Sequence, residues 1–288
     1  MKVAKNVSRN GRPTSADVVA WVLCSLAVVG CASSPVVPPA DVSIGAGPFR
    51  VTKAIMKDSP PMRVALSPDG RNAYAITEDA ALVYVLDLDG RRITKTISVG
   101  NDPMGIAVTP DGARLFVTNH HSGDVSVIDT SRGEVVASLA VGNNPCGIAI
   151  SRDGGLIYIT QHGGNMLAVV DTRSLAVVQQ ISVGSGPMAV AADAAGRFAY
   201  VANEASNDVS IVDLARSQVI ETVGVGVAPK GIALTPNGRY LYVANSASRS
   251  LSVIDATARA IVKTISLNRN PERVDITPRD AGYEVTIW

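Results

Sequence analysis

The stretch that decides the fold runs from residue 103 to residue 144 and reads PMGIAVTPDGARLFVTNHHSGDVSVIDTSRGEVVASLAVGNN. It is one copy of a 42-residue repeat, and a proline, an aromatic residue and an aspartate each recur at that step. The prolines are Pro61, Pro103, Pro145, Pro187, Pro229 and Pro271; the aromatic residues are Tyr74, Phe116, Tyr158, Tyr200 and Tyr242; the aspartates are Asp87, Asp129, Asp171, Asp213 and Asp255. Self-similarity at this period indicates a solenoid, a propeller or an array.

Each repeat unit reads as four short strands. In the quoted unit, apolar residues start a strand at 106–108, and Asp111-Gly112 forms a tight turn because this dipeptide accepts the positive φ that hairpins need. Residues 115–119, 125–129 and 134–141 are three further strands, and no part of the unit has helical periodicity. Four strands in one such unit are typical of a β-propeller blade, and radial stacking of the blades buries both faces of each sheet.

The second strand of each unit carries a motif that resembles the YVTN repeat. The copies are FVTN at 116–119, YITQ at 158–161 and YVAN at 200–203 and 242–245. The segments VGNNPCG at 141–147 and TPDG at 109–112 also match the pattern of the YVTN family. The resemblance covers residues 41–288 and implies a β-propeller, but a fold of this kind says little about activity.

The number of blades follows from the phase of the repeat. Five whole units run from Pro61 to residue 270, and fragments remain at both ends. Residues 271–288 supply a first and a second strand, whereas residues 41–60 supply a third and a fourth. We therefore expect an all-β propeller of six four-stranded blades, of which the sixth is a composite of the two chain ends. Many YVTN propellers have seven blades, and the count of six rests on this sequence alone.

The N-terminal residues have the features of an export signal. A basic segment precedes an apolar stretch at residues 18–30, which is too short for a membrane-spanning helix but has the length of a signal-peptide core. This stretch ends in VVGC at 28–31, which resembles the bacterial lipobox; an ordinary secretory signal is the alternative. We expect residues 1–30 to be a lipoprotein signal peptide, Cys31 to carry the lipid, and residues 31–40 to be a Ser/Pro-rich tether. This predicts an extracytoplasmic, membrane-anchored protein in the periplasm or at the cell surface.

The charge of the expected mature chain argues against nucleic-acid binding. Residues 1–31 hold four of the 26 basic and one of the 25 acidic residues, so 22 and 24 remain, a net charge of −2. Binding to phosphates needs clustered Lys and Arg, and the sequence has no such run, although DNA binding is attached to some YVTN proteins. Cys146 is then the remaining cysteine, so no disulfide forms within the chain, and we expect a monomer.

Two repeat positions bring metal-binding side chains to one face of the predicted propeller. The position after the repeat proline holds Met62, Met104, Cys146, Met188, Lys230 and Glu272, and the position after the second strand holds Glu78, His120, His162, Glu204 and Ser246. The sulfur atoms are ligands suited to Cu(I), and the histidines and glutamates could bind a metal or act as acid and base. The alternatives are adaptable apolar packing for the sulfur residues and solvated loop residues for the others. The sequence requires no cofactor, and copper is the metal that it suggests.

A third repeat position suggests a site for an anion. It holds Arg63, Gly105, Gly147, Ala189, Gly231 and Arg273. Arg63 and Arg273 become neighbours if the ring closes, and with Lys230 they would form a positive sector. The alternative is that these cations pair with Glu272 or Asp275. The repeated aspartate is explained by side-chain hydrogen bonds in a turn rather than by calcium.

No motif specifies an enzyme class. The sequence has no nucleophile motif, no glycine-rich phosphate loop and no cysteine pattern for zinc. We therefore expect a binding or scaffold protein whose partner on the funnel face is a protein, a cell-envelope component or a small ligand. The alternative is a metal-linked or redox-associated periplasmic propeller.

Overall fold

The computed structural model describes Met56 and residues 61–77, 79–279 and 282–288. This part of the chain forms 22 β-strands. It contains no helix that is long and apolar enough to span a membrane. The predicted signal peptide, Cys31, the tether and the predicted N-terminal strands lie outside the described residues, apart from Met56, as does Glu78.

The strands form six antiparallel sheets. The first sheet holds β1 (Arg63–Leu66), β2 (Asn72–Thr77), β3 (Ala80–Asp87) and β4 (Arg92–Ser98). The second holds β5 (Pro103–Val108), β6 (Arg114–Asn119), β7 (Asp124–Asp129) and β8 (Glu134–Ala140). The third holds β9 (Pro145–Ile150), β10 (Leu156–Gln161), β11 (Met166–Asp171) and β12 (Ala176–Ser182). The fourth holds β13 (Pro187–Ala192), β14 (Phe198–Asn203), β15 (Asp208–Asp213) and β16 (Gln218–Gly224). The fifth holds β17 (Pro229–Leu234), β18 (Tyr240–Asn245), β19 (Ser250–Asp255) and β20 (Ala260–Ser266), and the sixth pairs β21 (Val274–Arg279) with β22 (Gly282–Ile287).

Within each four-stranded sheet, the strands pair in chain order, as expected for hairpins that follow one another. In the second to fifth sheets the first strand starts at the repeat proline, three residues earlier than the apolar pattern predicts, whereas β1 starts two residues after Pro61. In the second sheet Pro103 pairs with Asn119, and the register then shifts before Gly105 pairs with Thr118. A β-bulge of this kind admits a proline at the beginning of a strand, because its missing N–H is not needed there.

Side chains hold the tight turns of the repeat in place. Asp111 Oδ1 accepts hydrogen bonds from the Thr109 hydroxyl at 2.5 Å and from the backbone N–H of Ala113 at 2.9 Å. At the end of β7, Asp129 Oδ1 accepts from the backbone N–H groups of Ser131 and Arg132, each at 3.0 Å. The second arrangement is an Asx turn, which agrees with the structural interpretation of the repeated aspartate.

The hydrophobic core lies between successive sheets. Phe116 and Val125 of the second sheet, for example, pack against Ile157 and Ile159 of the third. The inner strands also pack on each other in sequence order, from β1 on β5 to β17 on β21. Met56 is buried against Ala73, Ala75 and Leu86 of the first sheet. Repeated sheets stacked face to face in this way form a β-propeller.

The inner strands approach each other closely at the repeat position that holds glycine. A Cβ atom on Gly147 would lie 2.5 Å from the carbonyl oxygen of Met188 and 2.8 Å from Cα of Ala189, both on the next inner strand. A hydrogen bond also joins neighbouring sheets here, since the Thr118 hydroxyl donates to the Cys146 carbonyl at 2.6 Å. Glycine at this position therefore permits close packing of the sheets around the axis.

Candidate binding site at the mouth of the channel

The inner strands of the six sheets surround a narrow cavity of about 160 Å³. Every sheet contributes to its wall. The lining residues include Arg63, Met104, Gly105, Gly147, Ala189, Gly231, Arg273 and Asp275. The cavity is the central channel of the propeller, and the loops at one of its ends carry the polar residues that the sequence singled out.

Two histidines lie side by side at this end of the channel. The backbone N–H of His120, just after β6, donates to the carbonyl of Asp102 at 2.8 Å, and that of His162, just after β10, donates to Asn144 at 3.0 Å. Each histidine is thereby held against the loop that enters the first strand of its own sheet. The two ring centroids are 5.9 Å apart, and His162 Nε2 lies 3.7 Å from Glu204 Oε2. The repeat position after the second strand thus forms a continuous polar row.

His120 also contacts the buried cysteine of the neighbouring sheet. Its Nδ1 lies 3.0 Å from Sγ of Cys146, whose side chain is buried. Burial raises the pKa of Cys146 to about 12, so the group is a protonated thiol at neutral pH. Burial likewise lowers the pKa of His120, although Asp102 opposes this effect. The contact therefore joins two groups that are uncharged at neutral pH.

A third histidine and a carboxylate complete the group. His121 Nδ1 lies 3.1 Å from Asp102 Oδ2, and the rings of His120 and His121 meet edge to face with centroids 5.3 Å apart. One ligand atom from each of Asp102, His120 and His121 lies within 4.8 Å of the others. We call Asp102, His120, His121, Cys146, His162 and Glu204 the channel-mouth cluster.

Asp102 is not among the site residues predicted from the sequence, although a signal for it is present. Asp102 directly precedes the repeat proline, in the loop expected on the same face as the histidines. Its φ is 56°, and Asn144 and Gly186 at the equivalent positions have φ of 51° and 62°. Asp, Asn and Gly tolerate this left-handed backbone. The backbone therefore explains the residue type, and the carboxylate becomes notable only beside His121.

The predicted sulfur residues do not share one environment. Met62 packs against the hydrophobic core between the first and second sheets, whereas Met104 lines the channel. Met188 is half-buried, and its backbone carbonyl accepts a hydrogen bond from the Thr160 hydroxyl at 3.3 Å. Cys146 is the sulfur residue that the structure joins to the channel-mouth cluster.

The predicted positive sector is partly neutralised. Lys230 Nζ lies 2.9 Å from Glu272 Oε2, and Arg273 Nε donates to Asp275 Oδ1 at 2.9 Å. Both are ion pairs that the sequence offered as the alternative. Arg63 lines the same channel, and its side chain makes no hydrogen bond or ion pair with another described residue. Burial lowers the pKa of Arg63 to about 10, with Arg273 adding to this effect, so Arg63 remains a cation at neutral pH.

The fold and the site together define a β-propeller with a polar cluster at one mouth of its channel. The family model of YNCE-like beta-propellers matches residues 76–197. The solved structure of hydrazine synthase from Kuenenia stuttgartiensis is similar, with a TM-score of 0.58 and 20% sequence identity over 80% of this chain and 96% of that chain. No curated protein matches the chain. The family match and the structural likeness support the β-propeller fold.

Proposed function

We propose that this protein is a lipid-anchored extracytoplasmic β-propeller that binds a partner with the channel-mouth cluster. The observation that carries the proposal is the convergence of all three histidines of the chain on one loop-bearing face, next to Glu204 and a buried thiol. Binding residues concentrate on loops that a rigid scaffold positions, and the stacked sheets provide such a scaffold. The partner is a protein or another component of the cell envelope.

Capture from envelope extract tests the partner proposal. The bait is the expected mature chain without its lipidated cysteine, residues 32–288. The variant carries His120→Ala, His162→Ala and Glu204→Ala together. The matched control carries Asp89→Ala, Arg132→Ala and Arg173→Ala, which are exposed in the turns at the other end of the sheets. We expect one retained partner with the wild type and the control but not with the cluster variant. Equal retention by all three baits would refute binding through this face.

The lipid anchor is proposed from residues 18–31 and has its own test. Globomycin, which blocks lipoprotein signal peptidase, should cause the unprocessed precursor to accumulate. Cys31→Ser should abolish lipid labelling and release the domain from the membrane fraction. Normal membrane attachment of the Cys31→Ser protein would contradict the anchor without affecting the binding proposal.

We further propose that the propeller has six blades and that residues 41–60 complete the sheet of β21 and β22. The support is that this sheet has two strands where the others have four, and that Met56 is buried against the first sheet. Removal of residues 41–60 should expose a strand edge and favour association between molecules. A shortened chain that stays monomeric and unfolds at the wild-type temperature would rule out the composite blade.

A metal-linked function is a second candidate, favoured by the spacing of Asp102, His120 and His121. Their ligand atoms lie within 4.8 Å of one another, and a carboxylate with two imidazoles is a donor set for zinc or copper. A zinc ion holds such atoms at about 2.0–2.2 Å, which a small rotation of each side chain would achieve. Three protein ligands would leave a position open for a further ligand.

Metal titration separates this candidate from simple partner binding. Zinc or copper(II) alone should bind the mature chain at one ion per molecule, as measured by calorimetry and by metal analysis after dialysis. Binding should be lost in Asp102→Asn and His121→Ala but kept in Asp89→Asn, a remote exposed carboxylate. No retained metal in the wild type would end the metal proposal and leave the capture experiment unaffected.

A further inference from the structure

A second, larger cavity opens at the end of the propeller opposite the channel-mouth cluster. Its volume is about 1110 Å³, slightly above the usual range of about 300–1,000 Å³ for small-molecule sites. Turns and strands of the third, fourth and fifth sheets border it, with the half-buried Ile150 and Leu234 on its apolar wall. Because it lies between the turns that join first to second and third to fourth strands, we call it the turn cleft.

Where the repeat has its regular turn, a proline fills the space that corresponds to the turn cleft. A Cβ added to Gly112, in the turn of the second sheet, would lie 3.1 Å from Cδ of Pro68 in the first. A Cβ added to Gly154, in the third sheet, would lie 2.8 Å from Cδ of Pro110 in the second. The turn proline of one sheet thus packs over the turn glycine of the next.

Two consecutive repeats lack this proline, and the cleft opens at that point. Arg152 and Ala194 occupy the position of Pro68 and Pro110 in the third and fourth sheets. A Cβ added to the following glycines, Gly196 and Gly238, would meet no described atom within 4 Å. The opening is therefore a consequence of two substitutions in the repeat.

The altered turn of the fourth sheet nevertheless keeps its shape. It reads Asp193-Ala194-Ala195-Gly196, where the second sheet has Thr109-Pro110-Asp111-Gly112. The Asp193 carboxylate accepts hydrogen bonds from the backbone N–H groups of Arg197 at 2.6 Å and Phe198 at 3.1 Å. One aspartate thus supplies the turn contacts, and small alanine side chains leave the space above the fifth sheet open.

The charged residues that border the cleft leave an excess of positive charge. They are Arg197, Arg239 and Arg259 against Asp193 and Asp255, whereas Arg152, which also borders the cleft, has a partner of its own. Arg197 and Arg239 contact Asp193 and Asp255 through Nε at 3.6 Å, so neither forms a short bidentate pair. Arg259 forms no ion pair with any described residue. An anion entering the cleft would therefore find guanidinium donors that the protein does not saturate.

Aromatic rings hold two of these guanidinium groups in place. The Arg197 guanidinium lies 5.5 Å from the ring centroid of Phe198, and that of Arg239 lies 5.3 Å from the ring centroid of Tyr240. Cation–π contacts at such distances restrict the side chains without consuming their hydrogen-bond donors. Arginine pairs with phosphate in two parallel hydrogen bonds, so a phosphate group has both the charge sign and the geometry that these guanidinium groups bind.

We propose that the turn cleft binds an organic phosphate whose apolar body lies against Ile150 and Leu234. The phosphate is held by Arg239 and Arg259. This site is independent of the channel-mouth cluster, and the same chemistry is offered by a soluble phosphate ester and by the headgroup of an anionic phospholipid.

Calorimetric titration of the mature chain with phenyl phosphate tests the soluble form, and flotation with phosphatidic acid vesicles tests the lipid form. Phenol and inorganic phosphate, which each lack one half of the ligand, should bind more weakly than phenyl phosphate. Arg259→Ala should weaken binding about tenfold or more, the loss expected for one charge-assisted hydrogen bond. Arg91→Ala is the matched control, because Arg91 occupies the same repeat position in the first sheet, away from the cleft.

A second variant tests the origin of the cleft. Ala194→Pro restores the regular turn residue, fills the space above Gly238 and should abolish binding without lowering the unfolding temperature. Ala194→Leu fills the same space if the proline variant does not fold. Binding by either probe that depends on Arg259 and Ala194 supports the proposal and identifies the source of the phosphate. Absence of binding by both probes, or equal losses in Arg91→Ala and Arg259→Ala, would overturn it.

Discussion

The close approach of inner strands predicts that Gly147→Ala destabilises the propeller. The new methyl group would lie 2.5 Å from the Met188 carbonyl oxygen and 2.8 Å from Cα of Ala189. Both are backbone atoms of β13, so neither can turn aside as a flexible side chain would. Gly147 lies outside the left-handed region, and the penalty therefore arises from this contact rather than from its own backbone angles.

The size of the effect follows from the overlap. Carbon atoms in favourable contact are about 3.5 Å or more apart, so about 1 Å of separation must come from moving β9 away from β13. Overpacking lowers the free energy of unfolding by about 1–3 kcal/mol. The smaller conformational entropy of alanine in the unfolded chain raises it by about 0.4–1 kcal/mol. A net loss of about 1–2 kcal/mol corresponds to a fall of about 2–8 °C in unfolding temperature for a domain of this size.

Thermal unfolding followed by circular dichroism, together with urea unfolding, measures this loss. Gly224→Ala is the matched control, since a Cβ there would meet no described atom within 4 Å and the backbone angle is ordinary. The control should unfold at or slightly above the wild-type temperature. If Gly147→Ala unfolds together with Gly224→Ala, the inner strands are not as closely packed as described.

Three further predictions concern hydrogen bonds, acid stability and the last sheet. Thr118→Val should cost about 1–3 kcal/mol in urea unfolding because it leaves the buried Cys146 carbonyl without its inter-sheet donor, whereas Thr94→Val, at an exposed hydroxyl, should change little. Hydrogen bonds from the Ser131 hydroxyl and the Arg132 backbone N–H hold the pKa of Asp129 below its usual 3.8. The ionised Asp129 carboxylate therefore stabilises the fold above pH 3.8, and this stabilisation is lost as the pH falls through the lowered pKa. Asp129→Asn keeps the acceptor oxygen but does not titrate, so its unfolding temperature should fall less than that of the wild type between about pH 4 and pH 2. Parallel plots of unfolding temperature against pH for the two proteins would refute this. Ile287→Ala should lower the free energy of unfolding by about 2–5 kcal/mol, because Ile287 is buried in the core shared by the fifth and sixth sheets. An effect as small as that of Ile93→Ala, at an exposed side chain, would contradict this packing.

Much of the architecture was predictable because the repeat is a local pattern. Alternating apolar residues and Asp-Gly turns indicate where strands and hairpins lie, and β6, β7 and β8 agree with the predicted strands to within one residue. The first strand of the quoted unit was predicted too short, because proline is disfavoured within strands. Pro103 is accommodated there only by its bulged pairing with Asn119, which the sequence pattern does not indicate. The predicted lipobox, tether and N-terminal strands, which lie outside the described residues apart from Met56, remain predictions.

The site was predictable only in part. Equivalent repeat positions correctly indicated that His120 and His162 share a face, but not that His120 reaches across to Cys146 of the next sheet. The lateral offset between neighbouring sheets decides such a contact, and the repeat does not encode it explicitly. The same offset pairs Lys230 with Glu272 and leaves Arg63 without a partner among the described residues.

The sequence by itself determined the 42-residue period, the four-stranded unit and the sets of positions that share a face. These properties follow from backbone preferences and side-chain alternation within one unit. The tertiary structure decided which side chains meet between units: the channel-mouth cluster, the ion pairs in the channel and the turn cleft. These contacts depend on how closely adjacent sheets pack, and a missing proline such as that at Ala194 shows its effect only against the glycine of the next sheet.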